Sequence, residues 1–470
     1  MRRPSVSVLV MIGSSPRPLC PRPGRGENNT YVCSVSYRGS GRHYVPRFSM
    51  SAPSLRNALV SAAAAAALVV PAVAHADAPP GTVVATRPAT SAEGVTGAAT
   101  VQYVTYRTQN SLNQPATAGA LVYTPPGAAP AGGWPVVAWE HGTVGVAENC
   151  APSLAGLGDD TYPTLISTWL AHGYAVVAPD YIGLGTPGPH AYLDGHAEGN
   201  ATVDAVRAAH GTTPGLSTRW AVVGHSQGGQ AALFTASEAS SRAPELDFRG
   251  TATYAPGASV VDLMLLVGRP GLPDVLSPDM KAYGVYALLG LSAARPDFDL
   301  NSYLTPYGQQ VLARIRPLCL DAAVTALDGV DIAAMFARPL AEGDFEAIAR
   351  PVMDVPTSGY DRPILIAQGD ADTDVPAPLV YNLVVQLYAH GVNPDVHNYV
   401  ADDHETILTT ARSTVDTYLD TILHATGDTT STGSAGAGSS VSAAGSAAGL
   451  SSAGSGSADA GLESTALSAG

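Results

Sequence analysis

The segment Gly224-His225-Ser226-Gln227-Gly228 sets one serine between glycines two residues away on either side. This G-x-S-x-G spacing is the pattern of a nucleophile elbow, a strained turn between strand and helix that pushes a hydroxyl into a cleft. The glycines leave room for the strand and the helix to approach one another. The positive end of the helix then lies beside the serine. In a chain this rich in glycine and serine the pattern alone is weak, and its context carries it. "RWAVV" before it reads as a buried strand, and "GGQAALFTASEAS" after it reads as a helix.

A serine hydroxyl is a poor nucleophile at neutral pH, so it needs a histidine to take its proton and a carboxylate to hold that histidine. In this architecture the chain order is serine, acid, histidine. The loop "GDADTDVP" offers Asp370, Asp372 and Asp374, and Asp372 is the choice because it falls at the turn apex before the next helix. The other two read as ordinary capping or turn residues. In "DVHNYVADDHETIL", His397 would fall inside a strand and His404 in the loop after it, so His404 is the expected base. Asp402 and Asp403 read as solvated loop charges, and His225 as packing or pocket wall. An oxyanion hole needs two backbone donors. One is the amide after the nucleophile, Gln227, and the other is expected from "VVAWEHGTVG", with Gly142 for close backbone approach and Thr143 as donor.

These residues need a scaffold that brings distant loops to one edge. Short β-branched runs alternate with helical ones, the pattern of a largely parallel sheet covered by helices. The strands read as "TVQYVTYRT", "GALVYTP", "WPVVAWEHG", "YAVVAPDYIG", "RWAVVGHS", "GTATYAP", "PILIAQGD" and "DVHNYVA". Helices include "YPTLISTWLAHG", "NATVDAVRAAHGTT" and "APLVYNLVVQLYAHG". From 259 to 359 the alternation stops in a helix-rich apolar stretch, expected as an inserted cap between core segments 77–258 and 360–426. No repeat of fixed period occurs.

The composition is that of a packed globular protein, 46% apolar and 13% charged. With a net charge of −15 and Lys281 as its one lysine, the chain offers no basic face for nucleic acid. Residues 1–49 carry eight arginines against one glutamate and read as an extension upstream of the real start. Met50 opens a secretory signal: Arg56 supplies positive charge, 58–73 an apolar centre, and Ala74-His75-Ala76 a cleavage site. Cleavage after Ala76 removes Cys20 and Cys33. Cys150 and Cys319 remain, and two cysteines in an exported protein favour one disulfide over a metal site. Residues 427–470 form a Gly/Ser/Ala run expected as a disordered tail, with envelope attachment an open alternative to free secretion.

With these pieces assembled, the chain resembles the secretory lipase family of α/β-hydrolases. The likeness runs from Gly81 to Thr426 through "EHGTVGVAENCAPS", "APDYIGLGTPGPHAYLDGHAEGNATVDAVRAA", "GHSQGGQAAL", "GDADTDVP" and "DDHE". The second of these, with Asp180, Tyr181, Gly183, Gly185 and His190, is its most specific part. The resemblance implies an α/β-hydrolase core under a helical cap and hydrolysis of carboxylic esters, including acylglycerols. It carries the nucleophile onto Ser226, the acid onto Asp372, the base onto His404 and the oxyanion loop onto Gly142 and Thr143. Gln227 departs from members that have a further glycine at its position. A Cys150–Cys319 bridge would tie cap to core. No metal or organic cofactor is required. The expected partner is a small-molecule or lipid ester, met by a monomer, with lipid-interface contact through the cap. Alternatives are a short-chain esterase, an amidase or peptidase, and a non-catalytic surface scaffold. The cap leucines 263, 265, 266, 288, 289 and 291 favour an acyl chain or are simply core.

Overall fold

The computed structural model describes residues 78–273 and 275–424. The upstream segment, the signal read at 50–76 and the tail from 427 lie outside the described residues. The scaffold is one sheet of nine strands in the order β1-β2-β3-β5-β4-β6-β7-β8-β9. These are β1 (Val83–Pro88), β2 (Thr100–Gln109), β3 (Pro115–Thr124), β4 (Trp134–Glu140) and β5 (Ala175–Pro179). They continue as β6 (Leu216–His225), β7 (Asp247–Tyr254), β8 (Ile364–Gly369) and β9 (Asp395–Tyr399). The first three strands pair antiparallel and β3 pairs antiparallel with β5. From β5 onward every pairing is parallel.

The central parallel strands β4, β5 and β8 are buried on both faces because helices cover both, whereas the edge strand β9 is polar and partly exposed. On β4, Val137 and Trp139 join the cluster that holds Trp169 and Leu419, while Val136 and Ala138 join the one that holds Val206 and Ala232. The first cluster is closed by helices Thr161–Ala171 and Arg412–His424, the second by Gly195–Thr212 and Gln227–Arg242. Among the described residues no helix is long and apolar enough to cross a membrane.

All eight strands read from the sequence are present; β1 is additional. It is an edge strand with mostly exposed side chains, so it needs no apolar alternation by which to be read. The helix expected from Asn200 starts five residues earlier, at Gly195. The glycines that obscured its start are there for packing, since a β-carbon on Gly195 would lie 2.0 Å from the Phe234 ring.

Between β7 and β8 the chain runs through helices Val260–Val267, Pro278–Ala294, Pro306–Ile315, Leu320–Leu327 and Phe345–Met353. They enclose a hydrophobic cluster of their own, including Leu289, Leu291, Ile315, Met335 and Phe345. Val146, Tyr192 and Leu193 enter that cluster from outside the insertion. Cys150 and Cys319 are joined as a disulfide across 169 residues of sequence. Closing a loop of that length stabilises the fold by about 5 kcal/mol on chain-entropy grounds.

Candidate active site

Ser226 stands between the end of β6 and the helix Gln227–Arg242, with φ 57° and ψ −119°. For a residue with a β-carbon this conformation is strained, and such strain persists only where the surroundings enforce it. Here they do. A β-carbon on Gly224 would lie 2.0 Å from the Gly228 carbonyl oxygen, and one on Gly228 would lie 1.9 Å from that of Glu140. Ser226 N donates to Tyr254 O at 3.0 Å, and Ser226 O accepts from Gly257 N at 2.9 Å. The turn is therefore bolted to β7. The serine side chain does not cap its helix, so the hydroxyl is not spent on the local backbone.

His404 follows β9, and its Nδ1 lies 2.7 Å from Asp372 Oδ2. Asp372 is the member of its loop that turns inward: its Oδ1 accepts the backbone N–H groups of Asp374 and Val375, each at 2.8 Å. Burial pulls the His404 pKa down, but the hydrogen bond and charge of Asp372 outweigh it and leave the ring above its ordinary value. The other two loop aspartates hold tyrosines, Asp370 with Tyr381 and Asp374 with Tyr283. His397 pairs instead with Asp395 at 3.2 Å, within β9. Asp403 accepts the N–H of Thr406 at 2.8 Å, and Asp402 takes a bond from Thr410.

What joins the His404 loop to the serine is His225, whose contribution goes beyond packing. Its Nε2 lies 2.9 Å from the His404 carbonyl oxygen, its Nδ1 lies 2.8 Å from the Tyr162 hydroxyl, and the two imidazoles are 4.6 Å apart. A carbonyl only accepts, so Nε2 carries the proton and Nδ1 accepts from the tyrosine. Burial holds the His225 pKa well below the ordinary value, which keeps it neutral in that tautomer. Among the described residues no hydrogen bond links the Ser226 hydroxyl to the His404 ring. Such bonds are commonly long before substrate binds.

Gly142 and Thr143 follow β4. Gly142 allows a close approach, since a β-carbon there would meet the Tyr162 hydroxyl at 2.8 Å and push on its bond to His225. Thr143 Oγ1 lies 2.7 Å from the Tyr192 hydroxyl, and Tyr192 lines the same cavity as Ser226 and Gln227. Gln227 also lines that cavity, and its side-chain amide is anchored on buried groups. It donates to Glu198 Oε1 at 2.6 Å, and its amide nitrogen lies 3.1 Å from His190 Nε2. Tyr162, Tyr192 and Glu198 escaped the sequence reading of the site. The last two lie in the long segment that carries most of the resemblance, which was the one available signal.

The cavity beside Ser226 has a volume of about 90 Å³ and is largely aliphatic, with Leu263, Met264, Val267 and Met280 from the insertion in its wall, while Gln227, Asp374, Tyr192 and Tyr283 give it polar groups. A second space of about 30 Å³ shares Met264, Val267 and Met280 and continues into the insertion. Of the six leucines named above, Leu263 lines the first and Leu288 the second, Leu288, Leu289 and Leu291 all belong to the insertion's core, Leu265 packs against that core and Leu266 is exposed.

Buried carboxyl groups lie behind the turn. Glu140 ends β4 and accepts from Thr235 Oγ1 at 2.9 Å, and burial pushes its pKa up to about 8. Burial likewise brings Asp180 up to about 7, although Ser153 donates to both of its oxygens. Raised folded-state values mean stability present in full below the unfolded carboxylate pKa and lost as pH climbs through the folded one. Buried His141 and His190, both lowered to about 4 by burial, act in the opposite direction but only below the unfolded histidine value near 6.5. Between pH 6.5 and 8 the carboxyl groups govern, and the melting midpoint is expected to fall with pH. Glu140→Gln is expected to flatten that fall; a melting profile as steep as the wild type's would contradict the assignment.

Residues 154–338 match the family model described as Secretory lipase, a stretch that contains Ser226 and Cys319 but ends before Asp372 and His404. Lipase A of Moesziomyces aphidis is 31% identical over 227 residues, which make up 45% of this chain and 46% of that protein. The aligned part thus spans less than half of that relative. Among solved structures, Candida antarctica lipase A in its closed state superposes with a TM-score of 0.63 at 24% identity, covering 73% of this chain and 82% of that one. The rice cell wall degrading esterase LipA from Xanthomonas oryzae, in a ligand-bound form, gives 0.59 at 20% identity, with 73% and 99% covered. At these identities the structural likeness speaks for the fold. The chain is an α/β-hydrolase by fold that carries the secretory lipase pattern over residues 154–338.

Proposed function

We propose that this protein hydrolyses carboxylic esters, as a lipase-type serine hydrolase working through an acyl-enzyme. The observation that carries the reading is the strained Ser226 with a free hydroxyl, facing an apolar cavity and packed through His225 against the buried His404–Asp372 pair. His404 Nε2 takes the Ser226 proton as the oxygen attacks the ester carbonyl, and Asp372 stays ionised and holds Nδ1–H. The backbone N–H groups of Gln227 and Thr143 receive the oxyanion. His404 then protonates the leaving alcohol, and water repeats the sequence on the acyl-enzyme.

The insertion, in this reading, is a cap whose apolar wall takes the acyl chain. Its largely aliphatic lining supports a substrate with an acyl chain. A short-chain esterase is the second reading, favoured by the cavity's volume of only about 90 Å³. The Cys150–Cys319 bridge fits an oxidising, extracytoplasmic destination. Export by the leader at 50–76, and function as a monomer that meets lipid surfaces through the cap, belong to the same proposal.

The test is a series of p-nitrophenyl esters of increasing chain length, with an amide of matched acyl group. A lipase gives its highest kcat/KM on long acyl chains and turns the amide over far more slowly. A maximum at acetate or butyrate moves the assignment to the esterase, and absence of ester hydrolysis overturns it.

A further inference from the structure

The two candidate oxyanion donors are held by different parts of the molecule. Gln227 N belongs to the turn between β6 and its helix, which is tied to β7 and the residues after it by the Ser226 bonds to Tyr254 and Gly257. Thr143 lies on a stretch, 141–147, that is neither helix nor strand; on the sheet side His141 O accepts from the Tyr181 hydroxyl, and from Val144 onward the stretch also bonds to the insertion. Next to Thr143, the Val144 carbonyl accepts from Leu320 N at 3.0 Å, and Gly145 forms a β-bridge with Cys319. That approach is close: a β-carbon on Gly145 would lie 2.9 Å from Cys319 Cα. Val146 is buried in the insertion's own cluster, and Cys150 is disulfide-bonded to Cys319.

The Thr143 side chain is reached from the other direction. Its Oγ1 lies 2.7 Å from the Tyr192 hydroxyl, and the Tyr192 ring stands edge-on to Tyr286 of the insertion, with centroids 5.9 Å apart. A β-carbon on Gly290 would lie 2.1 Å from Tyr192 O, so that helix rests directly on the Tyr192 backbone. Tyr286 in turn donates to Leu318 O at 2.9 Å, two residues from the amide that binds Val144. The circuit closes around Thr143.

We infer that the helical insertion positions the Thr143 donor, through the Tyr192 hydroxyl on one side and the Cys319–Leu320 backbone on the other, so that the oxyanion hole is complete only while the insertion is docked. Tyr192 is the positioning residue in this arrangement. The inference rests on the reading of Thr143 as an oxyanion donor. An insertion that shifts away changes the chemical step as well as access to the serine, because a donor displaced by an ångström loses much of its effect.

The test is a cycle of Tyr192→Phe, Thr143→Val and the double variant, assayed on p-nitrophenyl butyrate with melting curves alongside. Phenylalanine keeps the ring on Tyr286, and valine keeps the backbone N–H. Each single variant is expected to lose about ten- to a hundredfold in kcat with KM within twofold, at an unchanged acid limb of the pH profile. The double variant is expected to lose no more than the worse single one, since both remove the same contact. Full kcat in either folded single variant, losses that multiply, or a change confined to KM overturns the inference. Where one single variant fails to fold, the kcat of the other decides. An inactive wild type would instead overturn the ester hydrolase reading itself.

Discussion

Replacing Ser226 with alanine is expected to lower kcat on p-nitrophenyl esters by about 10⁵–10⁶-fold while leaving the melting midpoint close to that of the wild type. The loss is large because the serine, the base and the acid act as a unit, and what survives is the contribution of the oxyanion donors and of binding. Stability is spared for a structural reason. The hydroxyl does not cap the helix Gln227–Arg242, so its removal breaks no local bond, and alanine inherits the same strained φ of 57°. Glycine at this position should behave differently, since it adopts positive φ without penalty: Ser226→Gly is expected to be as inactive as the alanine variant and more stable than the wild type. An alanine variant that keeps more than about one hundredth of the wild-type kcat would remove Ser226 from the mechanism.

Asp372→Asn is expected to cost about ten-thousandfold in kcat with the fold retained. Asparagine keeps the size of the side chain and its acceptor for the N–H groups of Asp374 and Val375, but it removes the charge that stabilises the imidazolium of His404. The pH profile separates this effect from simple misfolding. A general base works only when neutral, so activity falls as pH drops through the His404 pKa. In the wild type that pKa is raised by Asp372 against the downward pull of burial. The acid limb is therefore expected above the ordinary histidine value near 6.5 in the wild type and lower in the asparagine variant. An acid limb that stays in place after the substitution would show that Asp372 does not act on His404.

The candidate residues stood out because local constraints write themselves into sequence. The turn at Ser226 cannot form without small residues on both sides, which is why Gly224 and Gly228 announced it. A loop after a strand is where a histidine can face a cleft, and that separated His404 from His397, which pairs within β9. Asp372 was separable from Asp370 and Asp374 by its place at the turn apex, and the two inward-pointing backbone N–H groups account for that choice. The strands were legible for a similar reason. Parallel strands covered on both faces are continuous apolar runs, whereas β1, exposed at the edge, has no such run to show.

Other features were decided only when distant segments met. His225 reads as a buried ring beside a turn; its bond to the His404 carbonyl spans 179 residues, and no local pattern encodes a contact of that kind. Tyr192 belongs to a segment whose length marked it as distinctive, yet its task depends on Thr143 from one direction and Tyr286 from another. The insertion leucines show the same limit. All six have the composition of an acyl pocket, but packing puts Leu263 at the first cavity, buries Leu289 and Leu291 in a core, and leaves Leu288 in that core at the edge of the second cavity. By itself the sequence singled out the candidates for nucleophile, acid and base and the runs that form the strands, because these follow from backbone conformation and hydrophobic period within a few residues. Tertiary structure alone decided which side chains hold the candidate residues in place and how much room lies beside the serine, because those depend on distances between segments far apart in the chain, by 49 residues for Thr143 and Tyr192 and by 179 for His225 and His404.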